Sequence, residues 1–292
     1  MDNKRLNAFV KSAELGSLSA AAEELGYTPS AVSQLVASLE SEFGFQLLVR
    51  TTRGVYATPE AEGLIPIVRD YLSREQLIYD YVYGINNLSG GTLTITAYPS
   101  IATNWLPDIV SEFTSDYPDV TINILEGIRS DLFRQIESGD AELAFLAYAE
   151  PMPYEWIPLA EQELVAVLPE NHPLADRDSF PISAVQDENF ILSSSGREPE
   201  ILNMLAKHNI HPEIKYTTYE TPVNLAMVQR GLGVSICNEL SVKHWRGPIV
   251  RKPLDPPEKV TFGIACKSYD SLSAAARKFL DYSVRSLTRE EE

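Results

Sequence analysis

The chain has 292 residues, of which 44% are hydrophobic, and it carries a formal net charge of −17 at pH 7. This length and apolar content predict a globular protein of two or more domains. No run of about eighteen uninterrupted apolar residues predicts a membrane span. Residues 1–5 lead into an amphipathic pattern instead of the apolar core of a signal peptide, so we expect a cytoplasmic protein with no membrane partner.

Three helical patterns occupy the first 44 residues. Leu6, Phe9, Val10 and Ala13 recur at the spacing of one buried helix face. The second pattern has Ser19 as its candidate cap and ends at Gly26, where glycine permits a tight turn.

Thr28 and Pro29 mark the start of the third helix. A threonine caps the first free N–H groups, and proline at the first helical position loses no hydrogen bond. Two short helices joined by a glycine turn predict a helix-turn-helix. The exposed start of its second helix supplies the candidate DNA-binding residues, because short side chains allow close approach and glutamine can pair with a base edge. These residues are Thr28, Ser30, Ser33 and Gln34.

A hairpin and a long helix follow. Residues 45–50 and 55–58 predict two strands around a turn, with Arg50 and Arg53 positioned to contact DNA phosphates. Thr58 and Pro59 then start a helix to about Asn86, which spans roughly 40 Å at 1.5 Å per residue. Apolar residues at steps of three and four predict a seam for a partner helix. The predicted dimerisation residues are Leu64, Val68, Tyr71, Ile78 and Val82.

The residues of this head resemble those of LysR-type transcriptional regulators. The resemblance rests on Phe9 through Ala13, Gly16 through Leu25, Ala31-Val32-Ser33, Ser38-Leu39-Glu40, Phe43-Gly44, Leu47 through Arg50 and Thr58 through Gly63. It implies an α/β chain with a winged helix-turn-helix at residues 1–58, a linker helix at 59–89 and an effector-binding domain at 90–292. The chain departs from the family at Gln34 and Ala37, where basic residues are frequent, and at Pro29-Ser30, so the operator sequence stays open.

The resemblance also implies the partners. These are double-stranded operator DNA bound by a homodimer or homotetramer, RNA polymerase and a small-molecule effector, with no cofactor. The charge distribution argues against DNA binding, because residues 1–88 hold seven Lys and Arg against eleven Asp and Glu. Local placement of Lys4, Arg5, Lys11, Arg50 and Arg53 must then attract the phosphates, and few such contacts predict a shallow salt dependence.

Strand and helix patterns alternate from residue 92 onward. This rhythm predicts a mostly parallel sheet with helices on both faces. The resemblance implies a fold like that of periplasmic binding proteins, with lobe I at about 90–160 and 267–292 and lobe II at about 161–266. The final strand, 260–266, and the helix after it are expected to return to the first lobe.

Ligands of open α/β sheets bind beyond the carboxyl ends of the strands. The candidate effector-binding residues at such positions are Ser100, Thr103, Arg129, Tyr148, Ser194, Arg197 and Thr221. We expect a small polar effector, with an anionic group held between Ser100 and Ser194. A cationic or neutral effector with Glu126 or Glu220 as its partner remains open, and so does the alternative that the serines only cap their helices.

Other classes of protein have less support. The effector half alone permits a solute-binding receptor, but residues 1–88 argue against it. The sequence lacks the motifs of a nucleophile elbow, a phosphate-binding loop or a metal site, which argues against an enzyme. Cys237 and Cys266 lie in strand-like apolar runs, which favours buried thiols over a redox-sensing pair.

Overall fold

A computed structural model describes residues 2–52, 54–85, 91–193, 197 and 199–288 of the chain. The chain divides into two compact units, Met1–Val82 and Tyr83–Glu292. Each unit has a hydrophobic core of its own.

The N-terminal unit is a small helical head with a hairpin. Its described elements are α1 (Asn3–Glu14), α2 (Leu18–Leu25), α3 (Pro29–Phe43), β1 (Leu48–Thr51), β2 (Gly54–Ala57), α4 (Pro59–Glu62) and α5 (Leu64–Ile85). Phe9, Val36 and Leu39 are fully or almost fully buried in its core. β1 and β2 pair antiparallel, so the predicted hairpin is present, with its first strand starting at Leu48 instead of Phe45.

Capping residues set most helix boundaries of the head. Thr28 caps α3 by accepting a hydrogen bond from the Ala31 N–H, and Pro29 is the first helical residue, both as predicted. Gly26 ends α2 in the left-handed conformation, also as predicted. Ser19 is not the cap of α2: Ser17 accepts the capping bond from the Ala20 N–H, because the helix begins one residue before Ser19.

The predicted helix 58–86 is interrupted at Gly63, which separates α4 from α5. Pro66 explains the interruption. Its missing N–H cannot bond the carbonyl four residues earlier, and proline is tolerated only in the first turn of a helix. A new helix therefore begins at Leu64, two residues before Pro66.

The C-terminal unit is built from alternating strands and helices. Its described elements are β3 (Gly91–Ala97), α6 (Pro99–Asn104), α7 (Leu106–Asp116), β4 (Val120–Glu126), α8 (Arg129–Ser138), β5 (Leu143–Ala147), β6 (Glu155–Pro169), β7 (Phe180–Pro181), β8 (Phe190–Leu192), α9 (Pro199–Lys207), β9 (Ile214–Thr217), α10 (Thr221–Gln229), β10 (Ser235–Asn238), α11 (Glu239–Val242), β11 (Ile249–Asp255), β12 (Lys259–Cys266) and α12 (Ala274–Thr288).

The strand β6 links two lobes. Its residues 155–163 pair with β12, whereas residues 164–169 pair with β10 and β11. Lobe I contains the first part of β6, β3–β5, β12, α6–α8 and α12. Lobe II contains the rest of β6, β7–β11 and α9–α11.

Three features of the strands bear on the predictions. β3 is parallel to β4 and β5 in lobe I, and β8 is parallel to β9 in lobe II, but β12 runs antiparallel to β5 and β6, and β10 and β11 run antiparallel to β6, so the strand arrangement is mixed in both lobes. β12 pairs with β5 in lobe I, as expected for the final strand, so the approximate lobe boundary predicted at residue 266 lies too late in the chain. β11 was not predicted at all, because its sequence, Ile-Val-Arg-Lys-Pro-Leu-Asp, does not alternate apolar and polar residues and contains a proline.

Candidate functional site

The start of α3 presents polar side chains to solvent. Thr28, Ser30 and Gln34 are exposed, and the Thr28 and Ser30 hydroxyls lie 3.1 Å apart. Ser33 is half-buried, because its hydroxyl accepts a 2.7 Å hydrogen bond from the guanidinium of Arg50 on β1. The predicted recognition helix and the hairpin thus meet through Ser33 and Arg50.

The hairpin packs closely against the rest of the head. The Val55 N–H donates to the carbonyl of Gly16, and a Cβ on Gly54 would lie 2.8 Å from that same oxygen. Gly54 also has a φ of 135°, which favours glycine. Arg53, the second arginine predicted to contact phosphates, lies outside the described residues.

Carboxylates neutralise much of the positive charge of the head. Arg5 pairs with Glu42 at 2.7 Å, Lys11 with Glu24 at 2.7 Å, and Arg69 with Glu14 at 2.5 Å. Among the described residues, Lys4 and Arg50 have no such carboxylate partner. Few cations are therefore available for phosphates, as the sequence predicts.

The predicted dimer seam on α5 needs correction. Val68 is only 5% exposed and belongs to the core of the head, and Leu64 packs against that core. Tyr71 and Ile78 are exposed at 41% and 65%, and Ile67, which was not predicted, is 65% exposed. The side chain of Val82 lies outside the described residues. Among the α5 side chains that the structure describes, the exposed large apolar residues are thus Ile67, Tyr71 and Ile78, at successive spacings of four and seven residues.

A cleft of about 250 Å³ lies between the two lobes of the C-terminal unit. Three predicted effector residues line it: Ser100 and Thr103 from α6 of lobe I, and Thr221 from the start of α10 in lobe II. Glu220, the predicted partner of a cationic effector, also lines it. The sequence analysis therefore identified hydroxyl side chains on both walls of the cleft.

Hydrogen bonds join the two lobes around this cleft. Tyr98 donates to Glu200 at 2.9 Å, and the Asn104 amide donates to the carbonyl of Leu240 at 3.3 Å. The Tyr219 hydroxyl donates to the carboxylate of Asp131. Tyr98, Asn104 and Tyr219 all line the cleft, so its walls also carry the bonds that hold the lobes together.

Sequence families match both units of the chain. Residues 3–62 match the family described as "Bacterial regulatory helix-turn-helix protein, lysR family", and residues 86–288 match the "LysR substrate binding domain". The chain belongs to the LysR family of transcriptional regulators. It is a DNA-binding regulator with an effector-binding domain, and its family consists of regulators rather than enzymes.

Individual relatives agree with this assignment. The chain is 27% identical over 283 residues to the "Uncharacterized HTH-type transcriptional regulator YvbU" of Bacillus subtilis, covering 95% of this chain and 96% of that protein. It is 28% identical over 235 residues to a "Probable hydrogen peroxide-inducible genes activator" of Mycobacterium leprae, covering 79% and 76%.

Solved structures show the same fold. A variant of full-length OxyR from Pseudomonas aeruginosa superposes with a TM-score of 0.75 at 21% identity, covering 98% of this chain and 94% of that one. The effector-binding domain of QuiR in complex with shikimate has a TM-score of 0.63 at 26% identity, covering 69% and 99%.

Four predicted effector residues of this LysR-type regulator are not placed in the cleft. Arg129 directs its guanidinium to the carbonyls of Ala147, Ala149 and Pro151, at 3.1, 2.5 and 3.1 Å, and is not among the residues that line the cleft. Arg197 is exposed and lines a neighbouring hollow together with Arg129. The hydroxyl of the exposed Tyr148 donates to Glu150, and its ring packs against Trp156. The fourth residue, Ser194, lies outside the described residues.

Sequence reasoning missed Tyr98, Asn104, Tyr219 and His244, which all line the cleft of this LysR-type regulator. A signal existed for two of them. Tyr98 directly follows β3, and Tyr219 follows β9 by two residues, so both stand at the strand ends where ligands bind. Asn104 ends α6, one residue after the predicted Thr103, and was overlooked there, whereas His244 had no such signal because it follows α11, a helix that only the packing of lobe II brings to the cleft.

Three further observations concern metal-binding groups, membrane spans and the cysteines. No group of three or more His, Cys, Asp or Glu residues that could hold a metal ion occurs in the described part of the chain. Over the same residues, no helix has the length and apolar character needed to cross a membrane. Both cysteines are buried, as expected for packing thiols.

Proposed function

We propose that this regulator changes its binding to operator DNA when a small polar effector occupies the cleft between its lobes. The observation that carries the proposal is the arrangement of hydroxyl groups: Ser100 and Thr103 on lobe I face the same cleft as Thr221 and Ser241 on lobe II. A ligand that bonds both walls favours the closed arrangement of the lobes, and this differential affinity is what shifts a conformational equilibrium.

The effector is expected to carry an anionic group. Serine and threonine hydroxyls donate to a carboxylate, and the N–H groups at the start of α10, beside Thr221, favour negative charge. His244 is the described lining residue that can add positive charge. The complex of QuiR with shikimate, at 26% identity, supports a hydroxylated carboxylate as the first compound to test.

A cationic effector is the second candidate, because one observation favours it. Glu220 lines the cleft, whereas Arg129 is bonded to carbonyl groups and Arg197 lines a different hollow. Tyrosine and tryptophan rings at Tyr98, Tyr219 and Trp245 also attract cations. Glu126 does not line the cleft, so Glu220 is the remaining partner for such a ligand.

Thermal unfolding with three matched compounds separates the candidates. Shikimate, its neutral methyl ester and choline are each added to the full-length protein. An anionic site predicts a rise in Tm with shikimate that the ester does not produce, and that Ser100→Ala and Thr221→Val reduce. Ser130→Ala, at an exposed residue outside the cleft, is the control. A rise with choline that disappears in Glu220→Gln selects the cationic candidate, and no rise with any compound contradicts both.

The head is proposed to read the operator through α3. Gln34 is exposed beside Lys4, which suits a contact with a base edge, while Ser30 and Thr28 approach the backbone. Ser33 acts by holding Arg50 toward a phosphate. Retardation of the DNA upstream of its own gene by the full-length protein tests this, and the absence of a retarded band at low salt argues against it.

We further propose that α5 forms the dimer contact through Ile67, Tyr71 and Ile78, giving a homodimer or homotetramer. Operator sites that match two heads then bind more tightly than one half-site. A regulator acts where its DNA is transcribed, so the cytoplasm and contact with RNA polymerase follow as proposals. Co-purification of RNA polymerase with the operator-bound protein, but not with the protein alone, checks the last point.

The peroxide-inducible activators among the relatives raise a different function, which the thiols of this chain do not favour. Thiolate is the reactive form of cysteine. Burial raises the pKa of Cys266 to about 11, with a smaller contribution from the charge of Glu155. A thiol with such a pKa is ionised to only about one part in ten thousand at pH 7. We therefore propose that the effector is not sensed by oxidation of this cysteine.

A further inference from the structure

Tyr98 and Glu200 join the two lobes at the wall of the cleft. Tyr98 stands between β3 and α6, and its hydroxyl donates a 2.9 Å hydrogen bond to Glu200 Oε1 in the first turn of α9. The main chain of Tyr98 is fixed, because its N–H donates to the Phe145 carbonyl and its carbonyl accepts from Ile101 and Ala102. With the main chain fixed, the Tyr98 ring packs against the core and its hydroxyl is bonded to Glu200 of the other lobe.

Glu200 is buried without an ion-pair partner among the described residues. It is 8% exposed, and its second oxygen, Oε2, is buried with no hydrogen-bond partner in the described part of the chain. Arg129 acts on it electrostatically but directs its guanidinium to the carbonyls of Ala147, Ala149 and Pro151. A buried carboxylate in such a place is costly, so the neutral acid is favoured.

We propose that Glu200 is a positioning residue of the effector cleft: as a buried neutral carboxylic acid it accepts the hydrogen bond of Tyr98 and keeps the lobes joined at this edge, and its ionisation destabilises this junction because the buried charge is only partly compensated. Tyr98 lines the cleft directly, so Glu200 acts on the effector through Tyr98. This consequence for the effector rests on the proposed function. The joining of the lobes does not, because it concerns the protein without any ligand.

The pH dependence that follows has a defined sign. Burial raises the pKa of Glu200, and its backbone N–H bond, the Tyr98 hydroxyl and Arg129 oppose this rise without cancelling it. Tyr98 and Arg129 are the titratable or charged side chains that act on it from the elements of lobe I. The native state binds the Glu200 proton more tightly than the unfolded chain does. The stability that protonated Glu200 adds to the fold is therefore complete below the unfolded pKa of about 4.3, and it is lost as the pH rises through the native pKa.

Thermal unfolding of the full-length protein from pH 5 to pH 8 tests the proposal without an effector. Glu200→Gln mimics the neutral acid at every pH. We expect the difference in Tm, Glu200→Gln minus wild type, to increase by about 3 °C or more between pH 5 and pH 8. Glu213→Gln removes the same charge at an exposed residue of lobe II and should give a difference that does not vary with pH. Other titrating groups are common to all variants and cancel in the differences.

A second variant keeps the proposal testable if Glu200→Gln does not fold. Tyr98→Phe retains the ring but removes the donor that stabilises the carboxylate, so its deficit in Tm should widen as the pH rises. A difference between Glu200→Gln and wild type that stays constant within about 1 °C would mean that Glu200 only fills space. A difference that falls with pH would mean that Glu200 is ionised and held by Arg129. Either result overturns the proposal, whereas a rising difference supports it.

Discussion

Substitutions on α5 distinguish the residues of the head core from those of the proposed dimer seam. Val68 and Ile78 were both predicted to lie in the seam, but Val68 is 5% exposed and Ile78 is 65% exposed. Replacing each by alanine removes apolar groups of similar size. The two variants should therefore affect different equilibria.

The magnitudes follow from burial. Val68→Ala removes two buried methyl groups and leaves a small cavity, which costs about 2 kcal/mol of folding stability. Ile78→Ala changes the stability of the folded monomer by less than about 0.5 kcal/mol, as expected at an exposed site. If a partner helix covers the exposed two-thirds of Ile78, Ile78→Ala removes about 1–2 kcal/mol of dimer stability per protomer. In a two-fold symmetric dimer both protomers carry the substitution and this loss applies twice, so the dimer Kd should increase roughly 30- to 900-fold.

Sedimentation velocity over a dilution series measures the dimer, and thermal unfolding at one high concentration measures the fold. We expect Ile78→Ala and Ile67→Ala to shift the dissociation midpoint with little change in Tm, and Val68→Ala to lower Tm while the dimer persists. Ile124→Ala, at an exposed apolar residue of β4, is the control for losing a surface side chain. If Val68→Ala dissociates the dimer and Ile78→Ala does not, the assignment of the seam is refuted.

Three other outcomes are expected. Gln34→Ala should relax base preference at one position per half-site, at a cost of about 1–3 kcal/mol in a competition assay, and unchanged discrimination would remove Gln34 from base readout. Arg50→Gln should weaken all DNA sequences alike and reduce the salt slope by about 1, measured by fluorescence anisotropy at several salt concentrations. Hydrogen peroxide at neutral pH should not alter operator retardation, and Cys266→Ser should behave as the wild type; loss of a peroxide response in that variant would restore the oxidation mechanism.

Local signals made the head predictable from its sequence. Thr28 and Pro29 set the start of α3, and Gly26 set the end of α2, because capping depends on a few adjacent residues. The face of α5 was not predictable in the same way. Both Ile67 and Val68 fit an apolar stripe with Tyr71, and only packing against the core of the head decides which one is buried.

The cleft was predicted in part for a similar reason. Ser100, Thr103 and Thr221 were found because they stand just after strands, where parallel topology brings side chains to one edge. Arg129 stands at such a position too, yet its guanidinium bonds three carbonyls of the segment 147–151. No local pattern reveals that use, because the acceptors are 18 to 22 residues away.

The charge of the head bears on how an effector can switch DNA binding. Arg5, Lys11 and Arg69 are paired with carboxylates, so one head offers few cations to the phosphates. If one head binds DNA weakly, tight operator binding depends on two heads binding at the same time. The extra affinity from the second head is lost when the spacing of the heads no longer matches the operator. A modest change in the effector cleft is then sufficient to change occupancy, provided that it reaches the spacing of the heads. A highly basic head would bind DNA in either geometry, so the acidic composition favours a sensitive switch over tight nonspecific binding.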